Sequence, residues 1–441
     1  MKKIIFLIAI SFSLITTSCK KDFLDVNEDP SKAAEVPPKL LLPTIESQIA
    51  FAQGGDAARI SGVFIQQFTG ASRQFAQYQI YSVSPVDVNN LWRFNIYAGC
   101  LEDLHLLEQL SEEKNYPTYN GVSKILTAYT LGLTTDLWGD IPYSDAFKGT
   151  EQLSPKFDSQ ESIYASMQSL LDQAIVLLGQ TDIALKPGAA DDLMFGGSKA
   201  AWITFAHSLK ARYFLHLVKR NPALANNAIA EVAKGFGSSD DDAVFTFGTS
   251  ETSANPFYQF NGQRTDISYS GFLVDQMIAT ADPRLDAFAD TSAAGGGAMG
   301  AFYGSISSPV DFMTYSELKF IEAEAQFRLN NAQAAADAFN DAVKASVLRI
   351  TGAPDATFEA NVASETSASI SLEKIMNQKY VALYTSPEAW TDWRRTGFPV
   401  LTPVTAGGNI PRSFWYPSTE VSYNTNCPAN TSLQRKVWWD N

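Results

Sequence analysis

The chain is short of the residues that most often carry chemistry. Its 441 residues include only 3 cysteines and 3 histidines. So few cysteines cannot frame a disulfide scaffold of this length. Cys19 lies in the N-terminal region, which leaves Cys100 and Cys427. Cys100 falls in a helical pattern and reads as a buried thiol, and one bridge to Cys427 stays open. His105, His207 and His216 each sit in a helical pattern, without another His or Cys at ligand spacing, and read as structural. The motifs G-x-S-x-G and H-E-x-x-H are both missing. Gly295, Gly297 and Gly300 match G-x-G-x-x-G, but no strand pattern precedes them and no helix pattern follows, so a flexible loop is expected. Glu322 and Glu324 flank Ala323 and point to different helix faces, a poor carboxylate pair. Catalysis is not indicated. Asp240-Asp241-Asp242 is compatible with a structural calcium ion, but a solvated turn after Gly237 explains it, and no metal or cofactor is indicated.

Positive charge is also scarce. The formal net charge is −14, and no basic stripe occurs, which excludes nucleic acid as the expected partner. Polybasic attraction to anionic lipid is equally unsupported. After the N-terminal segment no apolar run approaches the roughly 20 residues that a membrane-spanning helix needs.

What is present begins at the N-terminus. Lys2 and Lys3 precede a largely apolar run from residue 4 to 15, and small polar residues lead into Cys19. That order is a secretory signal: positive n-region, short h-region, processing site. A cysteine at the processing point suggests the bacterial lipoprotein variant, in which its thiol is acylated and becomes the new N-terminus. Thr16 stands where such sites usually carry Leu. Residues 1–18 are therefore read as signal peptide and Cys19 as the lipidation site. Residues 19–36 are charged, contain Pro30 and lack an apolar period, so they read as acylated N-terminus and tether. Residues 37–441 are the body, long enough for two or more lobes or an extended helical array.

The body is mainly helical by pattern. Apolar residues recur at helical spacing over 87–109, and further helices are expected over 118–137, 159–178, 198–219 and from Pro222 to about Lys234. Ser159 is the expected N-cap of the third, with Glu161 in its first turn. Residues 315–346 form the clearest pair, two helical runs around Asn330-Asn331. Ala323, Ala325, Ala335, Ala338 and Ala342 are the small packing residues there, and Phe327, Leu329 and Phe339 the large ones. Small residues let two helices approach and large ones plug the gap, as in a tetratricopeptide unit. No strict repeat of 34 residues appears, so a degenerate array is expected.

Three stretches break the pattern: 66–87, 248–271 and 282–312. Long structureless segments on a rigid scaffold often bind something. These are rich in rings, amides and arginine, within a chain holding 12% aromatic residues. The candidate ligand residues are Arg73, Tyr78 and Tyr81 in the first stretch, then Trp92 and Asn95 in the next helix. Asn261, Arg264 and Tyr269 follow in the second stretch, and Tyr303 in the third. Flat rings stack on an apolar sugar face or a peptide side chain, while amides and Arg take polar edges. Ordinary loop packing is the competing explanation for each residue.

Four stretches carry a family resemblance: LWGDIPYSDAFKG (137–149), IMNQKYVALYTSPEAWTDWRRTGFPVL (375–401), IPRSFWYPSTEVSYNTN (410–426) and the terminal KVWWDN. With NEDP at 27–30 and the anchor, they resemble the SusD/RagB family of Bacteroidetes outer-membrane lipoproteins, in the branch with a W-x-x-x-RRTG-x-P motif. Ser413 departs from that branch, which tends to have a second Arg there. The resemblance implies a mainly α fold, with a tetratricopeptide-like helical-repeat scaffold and an irregular loop-rich face. It implies a non-enzymatic, lipid-anchored protein on the extracellular side of the outer membrane. Such a protein binds oligosaccharide or peptide and acts as the lid of a SusC-like TonB-dependent transporter. Trp92 and Asn95 have the Trp-x-x-Asn spacing that contributes to the sugar site of starch-binding members. The Trp390–Pro399 motif reads from its residues as a structural clamp, with buried Arg394 and Arg395 bonding carboxylates or carbonyls. The rival readings are a helical-repeat surface adaptor without small ligand and a secreted glycoside hydrolase.

Overall fold

Helix follows helix because the periodic apolar residues find partners on the next helix in the chain. The computed structural model describes residues 36–292 and 297–441. Cys19, the signal segment and nearly all of the tether lie outside those residues, as does Gly295. The scaffold comprises α1 (Pro38–Ala52), α2 (Glu102–Glu113), α3 (Pro117–Trp138), α4 (Gln160–Leu178), α5 (Lys199–His216), α6 (Leu224–Val232), α7 (Tyr315–Arg328), α8 (Ala332–Thr351), α9 (Leu372–Ala382) and α10 (Glu388–Thr396). Helices α2 to α8 stack in sequence, each packing on the next, with α6 passing to α7 across 82 intervening residues numbered 233–314. Residues 38–441 form one unit. The expected mainly α, tetratricopeptide-like array is what the chain adopts.

Local signals explain most boundaries. The Ser159 hydroxyl accepts from the Ser162 amide and starts α4, as expected. Asn331 precedes α8, and Ala323, Ala335, Ala338 and Ala342 are all buried between α7 and α8. Ser316 donates to the Ala342 carbonyl at 2.9 Å across that pair, a separation that only small residues permit. Helix α5 ends at His216, three residues earlier than the pattern suggested, because the amides of Leu217 and Val218 turn to carbonyls three residues back.

Two features differ from the expectation. The first half of the 87–109 helix is a π-helix, Leu91–Leu101, which continues into α2. The three irregular stretches are also less irregular than their composition suggests. They contain short helices Arg73–Gln79, Pro256–Gln263, Leu285–Phe288 and Ala301–Gly304. Asn255 caps the second of these, accepting from the amides of Phe257 and Tyr258 ahead of Pro256 at its first position. Two-stranded antiparallel ladders tie the stretches down: Thr69–Gly70 with Ile267–Ser268, Ala243–Thr246 with Pro309–Met313, and Ala289–Asp290 with Ala298–Met299.

The C-terminal motifs form the expected clamp. Trp390 is fully buried, and Arg394 lies over its ring at 4.0 Å and over Trp439 at 4.9 Å. Arg394 donates to the carbonyls of Asp136 at 2.6 Å and Arg412 at 3.0 Å. Arg395 is bidentate on Glu324 and also reaches Asp392 at 2.5 Å. Asp440, next to the last residue, takes Arg412 through both oxygens. Gly139 ends α3 at φ 89°, where the chain turns sharply and a β-carbon would press on Arg435. Ser413 is fully buried, and its hydroxyl has no partner among the described residues.

Candidate functional site

The nine candidate ligand residues divide into three places. Arg73 and Arg264 come together over a buried carboxylate, Asp266, at 2.6 and 3.9 Å. The Thr69–Gly70 and Ile267–Ser268 ladder makes this meeting, joining the first irregular stretch to the second. Around it Tyr269 donates to the Asn261 amide oxygen at 2.7 Å, and Phe75 packs edge-on against Phe260. Both arginine side chains stay more than half exposed. Tyr78, Tyr269 and Tyr303, however, are only 2–3% exposed. Tyr303 packs against Phe288 and Tyr384, and Tyr269 against Phe68. Burial lifts the hydroxyl pKa of all three above the usual tyrosine value, with the charge of Asp87 adding to the rise at Tyr78. These three rings are core, not open stacking platforms. Tyr81 is half-buried, and its hydroxyl accepts from the Val404 amide at 3.1 Å.

The second place is an aromatic cleft beside the π-helix. Trp92 forms its floor at 2% exposure, donating to Glu420 at 3.2 Å. Tyr97 lies against it with ring centroids 4.7 Å apart, and Phe147 stacks on Tyr97. Tyr423, at the end of the short helix Ser418–Tyr423, stands at the rim and is 81% exposed. Arg93, Glu102, Lys148 and Glu420 supply charge around a cavity of about 440 Å³. Burial raises the Tyr97 hydroxyl well above its ordinary value, and Glu420 adds to the rise, so it stays protonated and donates to the Pro142 carbonyl at 2.9 Å.

Asn95 does not join Trp92. It lines a third place, a cleft between α1 and the 245–259 segment. The cause is the π-helix: i→i+5 bonding widens the turn beyond 3.6 residues, so residues three apart no longer share a face. The Trp-x-x-Asn spacing is therefore split between two clefts. Sequence reasoning missed Tyr97, Phe147 and Tyr423. The first two had a detectable signal, since each follows a motif residue at short range, but Tyr423 was hidden in a tail with no period.

The histidines divide as well. His105 stacks on Phe147, and His207 pairs with Glu231 at 2.5 Å. His216 meets Asp136 and Glu388, with 172 residues separating it from the latter, which is why spacing did not reveal the group. Among the described residues these three side chains are the group whose ligand atoms lie close enough for a metal. Their hydrogen bonds explain them otherwise. Tyr164 and Trp439 both donate to Asp136, at 2.6 and 2.8 Å, and Nε2 of His216 lies 2.6 Å from Glu388. Burial opposes a charged imidazole here, but Glu388 and Asp136 outweigh it and raise the His216 pKa to about 9. The trio is a buried ion-pair network. Asp242 is likewise engaged, by Arg349 at 2.9 Å and the Tyr315 amide at 2.6 Å. Cys100 and Cys427 are both free thiols.

A family model for SusD-like proteins, described as starch-binding and associating with the outer membrane, matches residues 30–417. The chain belongs to the SusD-like family. That family is one of carbohydrate-binding, outer-membrane-associated proteins and not of enzymes. Among described residues of this SusD-like chain, no helix is long and apolar enough to cross a membrane. No curated protein sequence matches it. Solved structures do. A chitin-binding protein superposes with TM-score 0.76 at 24% identity, covering 92% of this chain and 100% of its own. A SusD/RagB family protein from Bacteroides thetaiotaomicron VPI-5482 reaches 0.74 at 24% identity, over 92% and 99% of the two chains. A chitin-binding SusD homolog from Flavobacterium johnsoniae reaches 0.69 at 22% identity, over 92% and 96%. At such identities the likeness establishes the SusD-like fold.

Proposed function

We propose that this SusD-like protein is a cell-surface lipoprotein, acylated at Cys19, that captures oligosaccharide in the Trp92–Tyr423 cleft and closes over a SusC-like TonB-dependent transporter as its lid. The cleft is the observation that carries the binding site. Its rings offer flat apolar faces, and Arg93, Glu420 and Gln152 offer donors and acceptors at the edge. Stacking plus a few placed polar groups is how a concave site holds a sugar. The exposure of Tyr423 supports a role outside the fold, because an exposed ring at a cleft rim contributes little to folding. The stacked helices supply broad rigid faces of the kind a transporter interface needs. Arg73 and Arg264 remain as polar contacts on the loop-rich face.

Two of the structural relatives carry chitin-binding names, so chito-oligosaccharides are the first probes, with malto-oligosaccharides beside them. Calorimetric titration of the full-length protein in mild detergent is expected to show binding of one of these. Tyr423→Ala should weaken it by about tenfold or more, the cost of a good aromatic anchor. Unchanged affinity in Tyr423→Ala would overturn the site. Affinity purification of the same tagged protein from outer membranes is expected to bring down a large barrel protein, and its absence would overturn the lid.

A further inference from the structure

The cleft that received Asn95 has a chemistry of its own. It is the larger of the two, about 770 Å³, and lies within the size range of small-ligand sites. None of the residues lining it carries a charge, in a chain where 18% of residues do. The Trp92 cleft, by contrast, is ringed by two cationic and two anionic side chains.

Its walls are rings and amides. Phe245 and Phe247, on the Ala243–Thr246 strand and just past it, pack edge to face with centroids 5.1 Å apart and are buried, forming the floor. Phe51, near the end of α1, presents 36% of its surface, and Leu193 presents 48%. The Leu193 amide donates to a carboxyl oxygen of the buried Glu46 at 2.7 Å, which holds that wall in place. The side-chain amides of Gln48 and Asn95 make no hydrogen bond to any described residue. Half-buried amides left free beside the exposed ring of Phe51 are groups waiting for a partner that brings both an apolar face and hydroxyls.

We propose that this cleft is a second carbohydrate site, separate from the Trp92 cleft and selective for neutral oligosaccharide. Phe51 takes the apolar face of a sugar ring, and Gln48 and Asn95 bond its hydroxyl or N-acetyl groups. An anionic sugar, a phosphorylated one or a charged peptide finds no counter-ion in the lining, and its charge would be desolvated without compensation. The Trp92 cleft carries no such exclusion. The inference extends the carbohydrate-capture reading but stands on different residues.

The test is calorimetric titration of full-length protein in mild detergent with chitohexaose, maltoheptaose and an oligogalacturonate. Two variants address this cleft, Phe51→Ala and Gln48→Glu, and Tyr423→Ala addresses the other. Phe51 is partly exposed, so its truncation leaves the core intact, and thermal melts of each variant check the fold. The expected result is two sites per chain for a neutral oligomer. Gln48→Glu and Phe51→Ala should each weaken one site by about tenfold or more and leave the other unchanged. Oligogalacturonate should fail to bind the site that these variants affect. One site per chain, sensitive to Tyr423→Ala alone, would overturn this proposal and leave the first standing. Loss on Gln48→Glu and Phe51→Ala, with Tyr423→Ala silent, would do the reverse. Equal affinity for neutral and anionic oligomers at the Gln48 site would overturn the selectivity.

Discussion

Replacing His216 by Gln is expected to destabilise the protein by an amount that depends on pH. His216 is 1% exposed and lies between two carboxylates, with Nε2 at 2.6 Å from Glu388 and Nδ1 at 3.4 Å from Asp136. Burial pulls its pKa down, but the charge of Glu388 and the bonds to Asp136 and Glu388 carry it up from 6.5 to about 9. The folded state therefore holds the proton more tightly than the unfolded chain does. A group with a raised folded pKa contributes its full stability below the unfolded value and loses it as pH rises through the folded one. The window is thus 6.5 to about 9. At about 1.4 kcal/mol per pH unit, the interval corresponds to roughly 3 kcal/mol. Gln removes the imidazolium between Asp136 and Glu388 at every pH, whereas wild type loses it only once His216 has lost its proton. Urea denaturation of both proteins, from about pH 6 to about pH 10, measures the difference. The stability gap should be widest at the acid end and shrink by roughly 3 kcal/mol across the window. A gap of constant size would refute a protonated, ion-paired His216.

Arg395→Met should cost about 3–5 kcal/mol in denaturation, because fully buried Glu324 and nearly buried Asp392 lose a shared cation. Adding Glu324→Leu should recover part of that loss, and strictly additive costs in the double-mutant cycle would contradict the pairing. Ser159→Ala should cost about 1 kcal/mol by removing the acceptor for the Ser162 amide, read as a lower thermal midpoint. Gly132→Ala places a β-carbon 2.5 Å from the Tyr213 hydroxyl at the α3–α5 contact. That overpacking should cost about 1–3 kcal/mol, and an unchanged melting curve would show that the helices separate more easily than their packing implies.

Much of the scaffold was legible in the residues. The alanines of 315–346 announced a close helix pair, and Ser159 announced a helix start, because caps and small-residue spacings act over one or two turns. The clamp was legible through Trp390, Arg394 and Arg395, whose types already demand buried partners. The candidate site was only half legible. Loop aromatics such as Tyr78, Tyr269 and Tyr303 have the right chemistry for stacking, but tertiary packing took them into the core. Arg73 and Arg264 stayed more than half exposed, each reaching the buried Asp266 from the surface.

The sequence by itself determined the mainly α array, the order of its helices, the clamp residues and the lack of catalytic motifs. These rest on periodicity, capping and composition, which are local. Tertiary structure decided which rings face solvent and which charges meet. The π-helix separated Trp92 from Asn95, and the tail brought Tyr423 to a cleft 331 residues away from Trp92. The folding of α3, α5 and α10 against one another gathered Asp136, His216 and Glu388. Exposure and ion pairing depend on contacts between residues far apart in the chain, and no local pattern records them.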